Sequence, residues 1–189
     1  RECLNRRALV VGVGNIGREV VGLAKGLGMT VSGVDLVRRL ADLEYVGLDE
    51  GISRSDVILC CLPLTELTRN LLGYGPMSRA KRGAILVNVG RGEVTPAADL
   101  RRLLDEGILG GIGLDVYEDE AQFAGGLRSG AAAPLNETGK ILLSLKDRED
   151  VLFTPHNAFN TAEALERKAR QTCEAVACFL KDGTFPNPV

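Results

Sequence analysis

The 189-residue chain contains no tryptophan, and aromatic residues make up only 4% of it. That scarcity argues against a base-stacking platform for single-stranded nucleic acid. No apolar run approaches the ~20 residues of a membrane-spanning helix. No basic segment followed by an apolar one opens the chain, so no secretory signal is visible. The formal net charge is only -2, which gives no reason to expect a nucleic-acid or membrane surface. Five cysteines are present: Cys3, Cys60, Cys61, Cys173 and Cys178. The number is odd, and no pair has the two-residue separation of a zinc or redox motif. These features point to buried, reduced thiols in a cytoplasmic protein and to no metal site. Cys60 and Cys61 are neighbours in an apolar run and are expected on opposite sides of one strand. Only one histidine, His156, is available for acid–base chemistry near neutral pH.

What the chain does have is an ordinary globular balance, 45% apolar and 25% charged, arranged as an alternation. Apolar runs at Ala8–Val13, Thr30–Asp35, Val57–Leu62, Ala84–Val89, Gly110–Val116 and Val151–Thr154 read as strands, with a weak further strand at Tyr45–Val46. Helical spacing appears at Ile16–Leu27, ended by Gly28, and from Pro96 to Glu106, ended by Gly107. A long helix over 161–181 carries Ala164, Leu165, Ala169, Cys173, Val176 and Leu180 on or near one face. Nearly all-apolar strands alternating with helices predict an α/β fold, a doubly wound parallel sheet covered on both faces. Gly125–Gly139, rich in Gly, Ala and Ser, breaks the rhythm. It reads as a loop excursion too polar and glycine-laden to be a core element.

The first strand runs into Gly12-Val13-Gly14-Asn15-Ile16-Gly17. In a GxGxxG loop the first glycine permits the turn and the second lets the backbone approach a pyrophosphate. The third lets the helix lie close to the strand. The helix start behind them offers unpaired N–H groups and a positive dipole end to phosphates. A strand before and a helix after supply the context that makes the pattern informative. Asp35 ends the second strand, 18 residues past Gly17. A carboxylate there accepts hydrogen bonds from ribose hydroxyls and repels a 2′-phosphate, which favours NAD over NADP. Arg38 and Arg39 follow closely and would soften that preference. The fold expected is therefore a Rossmann-type sheet with a C-terminal crossing helix.

Three further strand ends carry chemistry. His156 follows the last strand in Thr154-Pro155-His156-Asn157. Arg91 sits between Gly90 and Gly92, past another strand, where its fork suits a carboxylate. Glu118 and Glu120 follow Leu114-Asp115-Val116-Tyr117. An arginine, a carboxylate and an imidazole at one sheet edge are what hydride transfer to or from a 2-oxo acid requires. A lone structural histidine, a solvated loop arginine and an acidic surface loop are the blander readings of the same residues.

The ordered set GVGNIG with Asp35, CLPLTELTRNLL, GAILVNVGRGEV, GIGLDVYEDE and FTPHNAFNT resembles the D-isomer-specific 2-hydroxyacid dehydrogenase family over nearly the whole chain. The resemblance implies Arg91 as the carboxylate-binding, carbonyl-polarising residue, His156 as the proton donor or acceptor, and Glu120 as its partner. It implies that Asp115 stands near the nicotinamide carboxamide, that Pro63 and Val89 line the nicotinamide pocket, and that the domain forms a homodimer. The chain departs from many relatives at Cys61, where a histidine is common, and at Pro96, where an acidic residue is common. The 125–139 excursion and FTPHNAFNT lean toward the lactate-dehydrogenase-like branch, which makes D-lactate or a related small 2-hydroxy acid the first substrate expectation. Phosphoglycerate, glyoxylate and formate dehydrogenases remain alternatives, as does a non-catalytic NAD-sensing corepressor on the same fold. Family members open with a substrate domain of about a hundred residues, and none precedes Arg1 here. The expectation is an NAD-binding domain over 1–160, with 161–189 returning toward a substrate-binding half outside this sequence. Such a piece would bind NAD but turn substrate over poorly.

Overall fold

The computed structural model describes residues 2–120, 122 and 135–186. Most of the 125–139 excursion lies outside the described residues. The chain divides into two compact units, Arg1–Pro155 and His156–Val189.

The first unit is built on one parallel sheet. Its strands are β1 (Arg7–Val11), β2 (Thr30–Val34), β3 (Glu44–Tyr45), β4 (Val57–Cys60), β5 (Ala84–Asn88), β6 (Leu109–Leu114) and β7 (Val151–Phe153). Their spatial order is β3-β2-β1-β4-β5-β6-β7, and every pairing is parallel. The order reverses between β1 and β4, whose register pairs Val11 with Cys60. Such a switch point opens a crevice at the carboxyl ends of the strands, where ligands bind in this class of sheet. The predicted strands are all present. Their ladders stop one or two residues short of several predicted ends, because the chain peels away there to form the loops of the site. β3 sits one residue earlier than expected.

Ala8, Leu9, Val10 and Val11 are all inaccessible to solvent. A strand buried on both faces has no use for polar alternation, which is why it reads as a continuous apolar run. On one face Leu9 and Val11 join Ile52, Ile58, Leu86, Leu100 and Leu103. On the other Ala8 and Val10 join Val21 and Ala24 of α1 (Asn15–Gly26), together with Val31. Cys60 belongs to the first cluster and Cys61 packs against the second, on opposite sides as expected. Burial pushes the Cys60 thiol up to about 11 and the Cys61 thiol up to about 12. The general expectation of buried thiols needs correction. Cys3 and Cys173 are exposed and Cys178 is intermediate. Short helices at Leu48–Arg54 (α2) and Tyr74–Met77 (α3) were not evident from periodicity; α4 (Ala97–Asp105) was.

The end of the glycine-rich excursion is helical, contrary to the loop expected there. Glu137–Lys146 forms a helix, α5. Asn136 caps it by accepting from the Gly139 amide at 2.8 Å, and Gly139, Leu142 and Leu145 are buried. Residues 137–139 therefore start a packed element, and Gly139 is there for close packing, not for loop freedom. Its Cβ would come within 3.1–3.2 Å of Leu135 and Asn136.

Two carboxylates, each just before a strand, are held by nearby donors. Asp56 accepts from the Arg7 amide at 2.8 Å and from Lys81 at 3.1 Å. Burial alone would push it up, but those partners outweigh burial and hold it below the usual carboxylate range. Asp150 receives a two-pronged bond from Arg148, at 2.8 Å for each prong, and is likewise lowered. A carboxylate whose folded pKa is depressed stabilises the fold fully above its unfolded pKa, about 3.9. That stabilisation is lost as pH falls through the folded value. Urea midpoints are expected to hold level from about pH 5 to 8 and to decline below about pH 4. In Asp56→Asn and Asp150→Asn variants the acid-side decline should be shallower.

The second unit carries α6 (Ala162–Asp182), one residue displaced from the expected helix. Thr161 caps it by accepting from the Ala164 amide at 3.2 Å, and Gly183 ends it in the left-handed region with φ 70°. Phe179 stacks on Phe185 with ring centroids 4.7 Å apart.

Candidate functional site

At the carboxyl edge the loops after β1, β4, β5 and β6 are welded one to the next. Gly12 adopts φ +93°, and a Cβ there would lie 3.0 Å from the Cys61 carbonyl group and from Leu62. A Cβ on Gly90 would lie 2.4 Å from the Leu62 carbonyl oxygen. One on Gly92 would lie 1.9 Å from the Tyr117 carbonyl carbon. Backbone against backbone at these distances leaves no room for any side chain, so the glycines permit one continuous rim.

The β1 loop fits a dinucleotide. A Cβ on Gly17 would lie 1.9 Å from the Gly12 carbonyl oxygen, so only glycine lets α1 lie on the strand end. Above Gly14 there is open space, with nothing within 4 Å of its added Cβ. The helix beginning at Asn15 has no side-chain cap and no acidic residue in its first turn. Its amide ends and positive dipole end are thus left for an anion. Asn15 and Ile16 are exposed, and the Asn15 side chain accepts from Arg18 at 2.8 Å.

Asp35 lies just past β2. Its Oδ2 accepts from the Val13 amide at 2.7 Å and its Oδ1 from the Val37 amide at 2.9 Å. The carboxylate is thereby locked to the glycine loop with its side chain 15% exposed. Arg39 approaches both oxygens at 3.5 Å, while Arg38 turns its guanidinium over the Tyr45 ring. Asp35→Ala removes a charged acceptor worth about 1.5–3 kcal/mol. Calorimetry should show NAD affinity falling about 10- to 100-fold. NADP affinity should fall less, because Arg39 is freed from its carboxylate partner. An unchanged NAD-to-NADP ratio would contradict this assignment.

Pro63 follows β4, and its carbonyl accepts from the Thr68 hydroxyl at 2.7 Å. Val89 and Arg91 follow β5. Arg91 is exposed, with extended backbone (φ −143°, ψ 142°), and its guanidinium donates to the Gly90 carbonyl at 2.7 Å. Asp115 follows β6 and is 5% exposed. Its Oδ1 accepts from the Thr154 hydroxyl at 2.5 Å, and the Thr154 carbonyl accepts from the Tyr117 hydroxyl. These bonds tie the end of β7 to that of β6. Burial, then the Asp115 and Glu120 carboxylates, pushes the Tyr117 phenol up to about 12, so it stays a donor.

Gly12, Gly14, Asn15, Ile16, Gly17, Asp35, Pro63, Val89, Arg91 and Asp115 thus all lie at or just past the carboxyl ends of strands in one sheet. Glu120 is half-buried, five residues past Asp115 in the same unit. His156 is the first residue of the second unit. It is half-buried, adopts φ +49°, and meets Phe159 edge-on at 6.2 Å. A left-handed non-glycine residue of this kind costs energy and tends to persist at functional sites. Of the two glutamates singled out, Glu118 is committed elsewhere: it accepts from the Ala97 amide at 3.0 Å and caps α4. Asn88, Thr95 and Thr154 escaped sequence reasoning. The one available signal was a polar residue, Asn88, inside an apolar strand run.

Among the described residues no group of His, Cys, Asp or Glu side chains could hold a metal ion. No helix among them is long and apolar enough to cross a membrane.

Residues 1–158 match the family described as "D-isomer specific 2-hydroxyacid dehydrogenase, NAD binding domain". The chain is 34% identical over 185 residues to the glyoxylate reductase of Korarchaeum cryptofilum, covering 95% of this chain and 51% of that protein. It is 32% identical over 179 residues to the D-lactate dehydrogenase of Lactiplantibacillus plantarum, covering 92% and 52%. The crystal structure of D-lactate dehydrogenase from Aquifex aeolicus complexed with NAD and lactic acid superposes with a TM-score of 0.90 at 32% identity. That match covers 100% of this chain and 60% of the other. The chain therefore spans about half the length of the curated relatives it matches. The glycine loop, the locked Asp35 and the match over 1–158 lead to one assignment: the chain belongs to the D-isomer-specific 2-hydroxyacid dehydrogenase family, as its NAD-binding domain.

Proposed function

We propose that this domain serves an oxidoreductase that moves a hydride between NAD(H) and a D-2-hydroxy acid or its 2-oxo acid. The observation that carries the reading is Arg91, held between two glycines that admit no other residue, on the same rim as the glycine loop. When bound, the nicotinamide cofactor supplies or accepts the hydride. Arg91 grips the substrate carboxylate and polarises the carbonyl. His156 as imidazolium donates a proton to the 2-oxo group in the reductive direction and removes it in the other. Glu120 is the carboxylate that the family resemblance pairs with His156. Asp115, Val89 and Pro63 border the nicotinamide.

The substrate is a small 2-hydroxy acid. D-lactate is the first candidate, because proteins named D-lactate dehydrogenase recur among the relatives. The remaining substrate contacts come from a partner domain, toward which 161–189 leads. The protein acts in the cytoplasm as a homodimer. Leu23 of α1 and Leu27, which follows it, are exposed apolar residues that such an interface would cover. A substrate panel with NADH, run on the enzyme that contains this domain, tests the reading. Reduction of pyruvate or another small 2-oxo acid is expected. Failure with every 2-oxo acid would overturn it and leave NAD sensing as the function.

A further inference from the structure

We propose that Asn88 is the positioning residue for Arg91, holding the arginine through the peptide groups around it. The inference rests on the clamp role proposed for Arg91. Asn88 is the last residue of β5, and its side chain is completely buried. Its Oδ1 accepts from the Gly90 amide at 2.9 Å. Its Nδ2 donates to the Arg91 carbonyl at 2.9 Å and to the Thr95 hydroxyl oxygen at 2.8 Å. Both donors and the acceptor of one amide are spent on a single loop. The grip falls on the peptide entering Gly90 and the peptide leaving Arg91.

The geometry accounts for a residue that packing alone would not choose. A buried amide costs free energy unless it is fully paired, and an apolar residue would pack against the neighbouring strands at no such cost. Thr95 completes the brace. It is 3% exposed, and its hydroxyl donates to the Gly92 carbonyl at 3.3 Å, which leaves its oxygen free to accept from Asn88. The loop therefore has an internal tie, from Asn88 to Gly90, Arg91 and Thr95. It also has two external wedges, Gly90 against Leu62 and Gly92 against Tyr117. The Arg91 carbonyl and both flanking glycines are thus held while its long side chain stays exposed. An anion clamp works through placement, and a root that moves by an ångström misplaces the fork at its tip.

The test uses ¹⁵N-labelled chain in four forms: wild type, Asn88→Ala, Thr95→Val and Thr95→Ser. Backbone relaxation reads the order of the Gly90 and Arg91 amides. In wild type and Thr95→Ser both should be rigid, with order parameters of about 0.85. In Asn88→Ala they should fall below about 0.6, and in Thr95→Val part of the way, while β1 and β4 amides stay rigid. Oxamate, an isostere of a small 2-oxo acid, is then titrated, with NADH present, into the enzyme that contains this domain, carrying each of the same four forms. Its affinity should drop at least about 10-fold in Asn88→Ala, with NADH affinity unchanged and Thr95→Ser like wild type. Wild-type order at Arg91 in both Asn88→Ala and Thr95→Val overturns the proposal. So does wild-type oxamate affinity in both. If Asn88→Ala fails to fold, Thr95→Val against Thr95→Ser decides it. Arg91→Ala separates the two readings. Unchanged oxamate affinity there, or no oxamate binding by wild type, sinks the clamp role itself, and the order parameters still decide whether Asn88 holds the loop.

Discussion

Replacing Gly17 with alanine is expected to cost the chain both stability and NAD. The added Cβ would stand 1.9 Å from the Gly12 carbonyl oxygen and 2.9 Å from its carbon. Neither atom belongs to a flexible side chain that can step aside. α1 must lift from the strand end or the glycine loop must buckle. Overpacking of this kind costs about 1–3 kcal/mol, and the backbone location puts this case at the upper end. The same movement takes the first amides of α1 away from the place where a pyrophosphate would meet them. Urea denaturation should show the lower midpoint, and calorimetry should show no NAD binding at millimolar cofactor. Gly22→Ala is the matched control. It lies on the same helix with nothing within 4 Å of its added Cβ, so its stability and NAD binding should equal or exceed wild type.

Replacing His156 with alanine is expected to act on chemistry and spare the cofactor. In the enzyme that contains this domain, loss of the acid–base group should slow turnover by about 10²- to 10⁴-fold. His156 lies outside the Gly12–Gly17 loop and the Asp35 lock, so NAD affinity should stay within about twofold of wild type. Arg91→Ala should differ in kind, raising KM for the 2-oxo acid as well as lowering kcat. Near-wild-type turnover of His156→Ala would remove the acid–base assignment and leave the cofactor assignment standing.

The parts of the site that could be read from the sequence are those whose physics is local. Gly12, Gly14 and Gly17 are fixed by the turn, the approach and the packing of one strand–helix unit, so their spacing survives in one dimension. Asp35 follows from the same unit plus one strand. Arg91 drew attention through its flanking glycines, Gly90 and Gly92, which in the structure press against the Leu62 and Tyr117 backbone. What could not be read depends on partners distant in sequence. Glu118 reaches back 21 residues to cap α4, and nothing in DVYEDE distinguishes it from Glu120. Thr154 meets Asp115 across 39 residues. Asn88 looked like one more position in an apolar strand, although its bonds hold the loop that follows. The residues Glu137–Gly139 looked like loop because glycine and polar residues are what a helix start and a close helix contact also use. The short α2 and α3 offer too few turns for a 3.6-residue period to emerge.

The central claim, that this chain is an NAD-binding domain selective through Asp35, is tested most directly by calorimetric titration of the 189-residue chain with NAD and with NADP. Saturable NAD binding is predicted, with NADP binding at least about tenfold weaker because a 2′-phosphate would face the Asp35 carboxylate. No heat from NAD at millimolar concentration, or NADP binding as tight as NAD, would contradict it.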